Sequence, residues 1–193
     1  MLAALAAVGV AGTANAQLGP TTPFSVEVRA GAALPTGDFG DVASTGWTVG
    51  VDGTFNVTPM IGIYAGYSFS SYSLSDDVED LLGEGEFTEQ GFDAGIKASF
   101  AGGTLPFTPF LKGGLIFHKL GADFDDLDIG DVDDSDMELG FEVGGGVAFP
   151  LGPRISVTPS ASYSQFTIDD GEGDGGEVDI SSVKIAIGLN IRI

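Results

Sequence analysis

The sequence predicts an all-β fold: an eight-stranded antiparallel up-and-down transmembrane β-barrel with an apolar exterior against lipid and a lumen of small and charged residues. Three observations predict it. From Val183 to Ile193, the residues Val183, Ile185, Ile187, Leu189, Ile191 and Ile193 fall on one side of an extended chain, and Lys184, Ala186, Gly188, Asn190 and Arg192 on the other. The same two-faced pattern recurs eight times along the chain. The connections between the repeats alternate, short and free of acid, then long and acidic.

The N-terminal element comes first. Residues 2–12 are almost wholly Ala, Leu, Val and Gly, and Ala14, Asn15 and Ala16 form a small-residue cleavage pattern before Gln17. Residues 1–16 therefore read as a secretory signal peptide, although no Lys or Arg precedes Arg29, and residues 17–193 as a single barrel domain. Cysteine is absent, which excludes disulfide staples and Cys-based metal sites. A net charge of -21 alongside 31 glycines and 14 phenylalanines, with positive mean hydropathy, requires apolar and acidic residues to be segregated. Beyond the N-terminal run no apolar stretch approaches the roughly 20 residues of a membrane helix. A membrane-spanning chain of this kind must close a sheet on itself.

Strands are expected at 23–35, 46–57, 60–71, 89–100, 107–119, 137–149, 154–167 and 179–193. Short connections fall at Thr58-Pro59, Ala101 to Pro106 and Pro150 to Pro153, and long ones at 36–45, 72–88, 120–136 and 168–178. The apolar faces include Val28, Val51, Ile63, Ile96, Leu115, Val143 and Val157. The opposite faces are mostly Gly, Ser, Thr and Ala. An eight-stranded barrel has an interior only just wide enough for side chains, so bulky residues from every strand would overfill it and belong outside. Phe24, Phe55, Phe100, Phe107 and Phe149 then mark one membrane interface, and Trp47, Phe69, Phe92, Phe117 and Tyr163 the other. Alternation alone does not say which face is inside, so a soluble ligand-carrying barrel of lipocalin type is the rival fold.

The acids sort by position. Of 28, two fall in the first long connection, six in the second, eight in the third and six between Asp169 and Asp179, while the short turns hold none. Glu89 opens a strand. Glu27, Asp52, Asp93, Glu138 and Glu142 occupy the small-residue face together with Arg29, Lys97, Lys112, Lys184, Arg192 and the single histidine, His118. Unpaired charge in a narrow lumen costs several kcal/mol, so these residues are expected to form a near-neutral ion-pair network that plugs the barrel.

With these elements placed, the chain resembles the small eight-stranded outer-membrane barrels of the OmpA, OmpX and OmpW type. The likeness is best at Pro106-Phe107-Thr108-Pro109-Phe110-Leu111-Lys112-Gly113-Gly114-Leu115, and Val57-Thr58-Pro59 and Val157-Thr158-Pro159 echo it. The resemblance implies a bacterial outer-membrane location with long loops extracellular and short turns periplasmic. It also implies contact with lipid and lipopolysaccharide, and recognition by the barrel-assembly machinery, where Ile193 stands in place of the usual terminal aromatic. A monomer is expected.

Other site chemistries are poorly supported by residue type and spacing. Around His118 the sequence Phe117-His118-Lys119-Leu120 offers no neighbouring Ser, so no acid-His-Ser arrangement can be assigned and no enzyme activity or catalytic residue is expected. Asp170, Glu172, Asp174 and Gly175 match the first half of a calcium loop, but Ser181 stands where a bidentate Glu is needed. No cofactor is expected beyond calcium or another divalent cation at the loops. Diffuse divalent bridging to anionic lipopolysaccharide, or hydration in concentrated salt, fits the acidity as well. A strongly acidic exterior repels nucleic acid. Two roles follow: a non-enzymatic barrel displaying acidic loops for envelope structure, adhesion or cation-mediated contact, or, as the OmpW likeness implies, a narrow channel for small apolar molecules. Room near Gly62, Gly66, Gly144, Gly146 and Gly188 would serve the channel.

Overall fold

The computed structural model describes residues 23–75, 85–100, 105–124, 137–169 and 177–193. The expected signal peptide at 1–16, the residues of the expected calcium site Asp170, Glu172 and Asp174, and most of the acids of the second to fourth long connections lie outside the described residues. Eight strands form a closed barrel in which each pairs with its neighbours in the chain and β8 returns to β1. They are β1 (Phe24–Thr36), β2 (Gly46–Asn56), β3 (Ile61–Ser73), β4 (Gly85–Ser99), β5 (Thr108–Phe124), β6 (Glu138–Pro150), β7 (Ile155–Asp169) and β8 (Glu177–Arg192). Every pairing is antiparallel, and closure runs from Ser25 opposite Arg192 to Thr36 opposite Ser181.

Alternation decides orientation over most of the wall. Val28, Val51, Ile63, Ile96, Leu111, Leu115, Leu139, Val143, Ile185 and Ile187 are all at least 45% exposed on the outer face, an arrangement that water would not tolerate. At the turn end Phe24, Phe55, Phe100 and Phe149 are exposed, and at the loop end Trp47, Phe92 and Phe117. Neighbouring rings support one another, Trp47 against Phe69 at 5.3 Å and Tyr67 against Phe92 at 5.3 Å. The bulky groups therefore face hydrocarbon, and the lipocalin-type alternative fails.

Beyond the loop-end aromatics the two faces exchange character. Phe87, Leu120, Phe166, Ile168 and Ile180 now point inward and pack with Ala33, Tyr72 and Ile116 into an apolar cluster. Glu86 and Asp179 are exposed on the outside. The exterior here meets water, so the ordinary rule of apolar inside is restored. This inversion explains the main boundary differences. β4 was expected from residue 89 and starts at Gly85; β5 was expected to end at 119 and runs to Phe124; β8 starts at Glu177 rather than 179. The hydrogen-bonded ladder continues through the change of polarity, so Glu86, Asp123, Asp169, Glu177 and Asp179 lie in strands rather than loops.

The first long connection is not simply a loop. It holds a short helix, α1 (Asp38–Val42), entered through Gly37 at φ 62°, where a side chain would be strained. The helix folds Phe39 over the lumen, 2% exposed, with its ring edge-on to Tyr72 at 5.1 Å and to Phe87 at 5.8 Å. Backbone bonds from Ser44 N–H to the Ser73 carbonyl (2.8 Å) and from Ser75 N–H to the Val42 carbonyl (3.0 Å) fasten it to the end of β3. Phe39 thus stoppers the loop end of the barrel.

Candidate functional site

Below that stopper the inward positions of β1 to β8 bring buried charges together. Glu89 and Asp93 sit two turns of the pleat apart on β4, and His118 on β5 lies across the ladder from both. His118 Nδ1 is 2.8 Å from Glu89 Oε1, and its Nε2 is 2.8 Å from Asp93 Oδ1. Carboxylates only accept, so a ring satisfying both must donate from both nitrogens, as the imidazolium does. Glu89 also accepts from Lys184 Nζ at 2.9 Å and from the Tyr72 hydroxyl at 2.6 Å. Asp93 accepts from Arg29 at 3.2 Å, and Arg29 also pairs with Asp52. Toward the turn end Lys112 donates to Glu142 at 2.8 Å, Tyr64 joins the same carboxylate at 3.1 Å, and Lys97 reaches Glu27 at 3.4 Å.

The side chains of Glu27, Asp52, Glu89, Asp93 and Glu142 thus face those of Arg29, Lys97, Lys112, Lys184 and a protonated His118. The charges balance. Low-dielectric burial makes that necessary, since removing one partner leaves an ion whose desolvation nothing offsets.

Two residues expected in this network are placed elsewhere. Arg192 has the inward parity but lies at the rim, where it is exposed; parity fixes a side chain's face and not its depth. Glu138 is half-buried and, among the described residues, has no ionic partner. His118, expected in the network, serves there as a cation, and the acid that joins it unexpectedly is Glu89, which is 1% exposed. Glu89 looked like a loop-side residue because the strand was expected to begin there; the signal that could have found it is Phe87, whose inward alternation with Glu89 and Gly91 extends β4 backward.

The lumen is also bulkier than expected. Tyr64, Phe110 and Ile116 are buried inside it, at 2%, 4% and 0% exposure. Lys97 Nζ lies 4.2 Å from the centre of the Phe110 ring, a cation–π contact. The room expected beside the glycines is occupied. A Cβ at Gly62 would come 2.7 Å from Thr54 Cγ2, at Gly144 2.6 Å from Ser162 Cβ, and at Gly146 2.9 Å from Phe110 Cζ, while at Gly66 and Gly188 it would overlap Asp52 and the Thr158 hydroxyl. Among the described residues the space between Glu27, Asp52, Tyr64, Lys97 and Lys112 measures about 10 Å³, enough for one water at most.

Folding does supply the hydroxyl that the sequence around His118 lacked. Ser68 Oγ is 3.4 Å from His118 Nε2, but Asp93 holds that nitrogen more closely, at 2.8 Å. Ser68, Asp93 and His118 are 3%, 2% and 1% exposed, which leaves no approach for a substrate carbonyl. No group of three His, Cys, Asp or Glu able to hold a metal occurs among the described residues.

Solved structures share this architecture. The chain is similar to Neisserial surface protein A (TM-score 0.66, 16% identity, covering 89% of this chain and 97% of that one). It is also similar to OprG from Pseudomonas aeruginosa (TM-score 0.52, 14% identity, 89% and 98% covered). A third is Ail, the attachment invasion locus protein of Yersinia pestis, solved in complex with the heparin analogue sucrose octasulfate (TM-score 0.54, 12% identity, 87% and 97% covered). No curated protein matches the chain by sequence. At these identities the likeness establishes the fold. The model of the outer membrane protein beta-barrel domain matches residues 2–190, and the chain, a transmembrane barrel with paired charges in its lumen, belongs to that family.

Proposed function

We propose that this protein is a non-enzymatic outer-membrane barrel that displays acidic loops at the cell exterior and serves envelope structure, adhesion or cation-mediated contact. The observation that carries this reading is the filled lumen: among the described residues, neutralised ion pairs and three inward bulky side chains occupy it, Phe39 lies across the loop-end mouth, and the space between Glu27, Asp52, Tyr64, Lys97 and Lys112 holds about one water. A rigid plugged barrel has its long connections as its variable surface. Their acidity suits divalent bridging to anionic lipopolysaccharide, and Asp170, Glu172 and Asp174 are the residues to substitute first in testing for calcium. The burial of His118 and Ser68 supports a non-catalytic role for both.

Planar-bilayer recording tests the reading. The folded protein is expected to add no ion current above the lipid background while keeping its heat-modifiable gel mobility. Stable conductance that falls with increasing ion size would replace display with transport, the role that the narrow-channel alternative assigns.

A further inference from the structure

The turn end carries a charge arrangement that the lumen network does not use. Arg192 N–H donates to the Arg154 carbonyl at 2.9 Å, one step beyond the register pair Ile155 and Ile191. The two arginines therefore stand opposite each other across the β7–β8 ladder. Like charges so placed repel, and an anion between them removes the penalty. Both are exposed, and among the described residues neither guanidinium has a carboxylate within ion-pair distance. The connections on this rim, 57–60, 100–107 and 150–154, contain no Asp or Glu. The first acid on the inner face above them is Glu27, which Lys97 engages at 3.4 Å.

The surroundings indicate what kind of anion. Leu151 and Ile193 are 69% and 62% exposed beside the arginines, and Phe24 and Phe149 of the turn-end aromatic belt lie just above. A rim bathed in water would not keep such groups bare, so this level is the membrane boundary; Arg154 and Arg192 continue the lumen-side register of Ser156 and Asn190 and, exposed beyond the last buried pair, reach headgroups over the rim. One step into the lumen, Ser25, Ser156 and Asn190 supply buried hydroxyl and amide groups.

We propose that Arg154 and Arg192 form a clamp for the phosphate of an anionic phospholipid in the leaflet at the turn end. Guanidinium presents paired donors that match phosphate oxygens, and two of them side by side embrace one headgroup. The chain as a whole, at net charge -21, repels anionic lipid, so the clamp is where the local sign reverses.

The test uses the full chain folded in uncharged maltoside micelles and native mass spectrometry with phosphatidylglycerol, phosphatidylcholine of the same acyl chains, and inorganic phosphate. The unaltered protein is expected to retain phosphatidylglycerol roughly tenfold better than phosphatidylcholine. R154Q/R192Q should lose that preference, R154K/R192K should keep part of it, and K119Q at the opposite rim should keep all of it, each checked for folding by heat-modifiable mobility. Equal retention of the two lipids, or a preference that survives R154Q/R192Q, would overturn the proposal. Displacement of phosphatidylglycerol by equimolar inorganic phosphate would overturn it as well, since the site would then serve a free anion.

Discussion

The membrane-embedded part of this barrel and the collar above it are built from the same strands with opposite polarity. In the embedded part Ile63, Ile96 and Leu115 face out while Asp93, Lys112 and Glu142 face in. In the collar Tyr72, Phe87 and Ile180 face in while Glu86 and Asp179 face out. The backbone ladder does not change across the boundary. What changes is the exterior solvent, and the interior takes the complementary character. The embedded part must therefore be held inside by ion pairs, whereas the collar has an ordinary apolar core with Phe39 at its centre.

Substitutions can probe each half. The largest effect is expected from Glu89→Gln, which leaves His118 and Lys184 without their shared carboxylate; urea unfolding from lipid vesicles should show a loss of about 3–5 kcal/mol. Glu138→Gln is its control, and should stay within roughly 0.5 kcal/mol. Comparable losses from the two would dissolve the distinction between network and rim. In the collar, Phe39→Ala should cost about 3 kcal/mol by the same measurement, as a buried aromatic does. A negligible loss would mean that the stopper contributes nothing to the fold. A further pair of substitutions separates the outer surfaces. Ile96→Lys, midway between the aromatic belts, should cost about 2–4 kcal/mol, while Thr88→Lys on the collar should change stability by no more than about 1 kcal/mol. Equal costs would put the collar inside the bilayer.

Strict alternation made β2, β3 and β6 legible nearly to their ends, because each keeps one polarity over most of its length. The collar was hidden for the converse reason. A rule that equates apolar with outward stops where Phe87 and Ile180 turn inward, and it takes Glu89 out of the lumen with them. The lumen cations Arg29, Lys97, Lys112 and Lys184 were readable from parity alone, whereas Arg192 needed its height along the strand. Pairings such as Glu89 with Lys184 or His118 with Asp93 depend on how strands far apart in the chain face one another across a closed cylinder. Local spacing carries no information of that kind. The helix of the first loop escaped notice because α1 is too short to show a periodicity.

The reversal of polarity also works as a depth gauge. Sinking the barrel by a single residue pair would drag Glu86, Thr88 and Gln90 toward hydrocarbon, and raising it would lift Phe92 and Phe117 toward water, so its vertical position is set by the wall itself. A bilayer thicker than the outer apolar band has to thin around the protein at a cost of fractions of a kcal/mol per Å. The chain is accordingly matched to membranes of one thickness, whatever its loops meet outside.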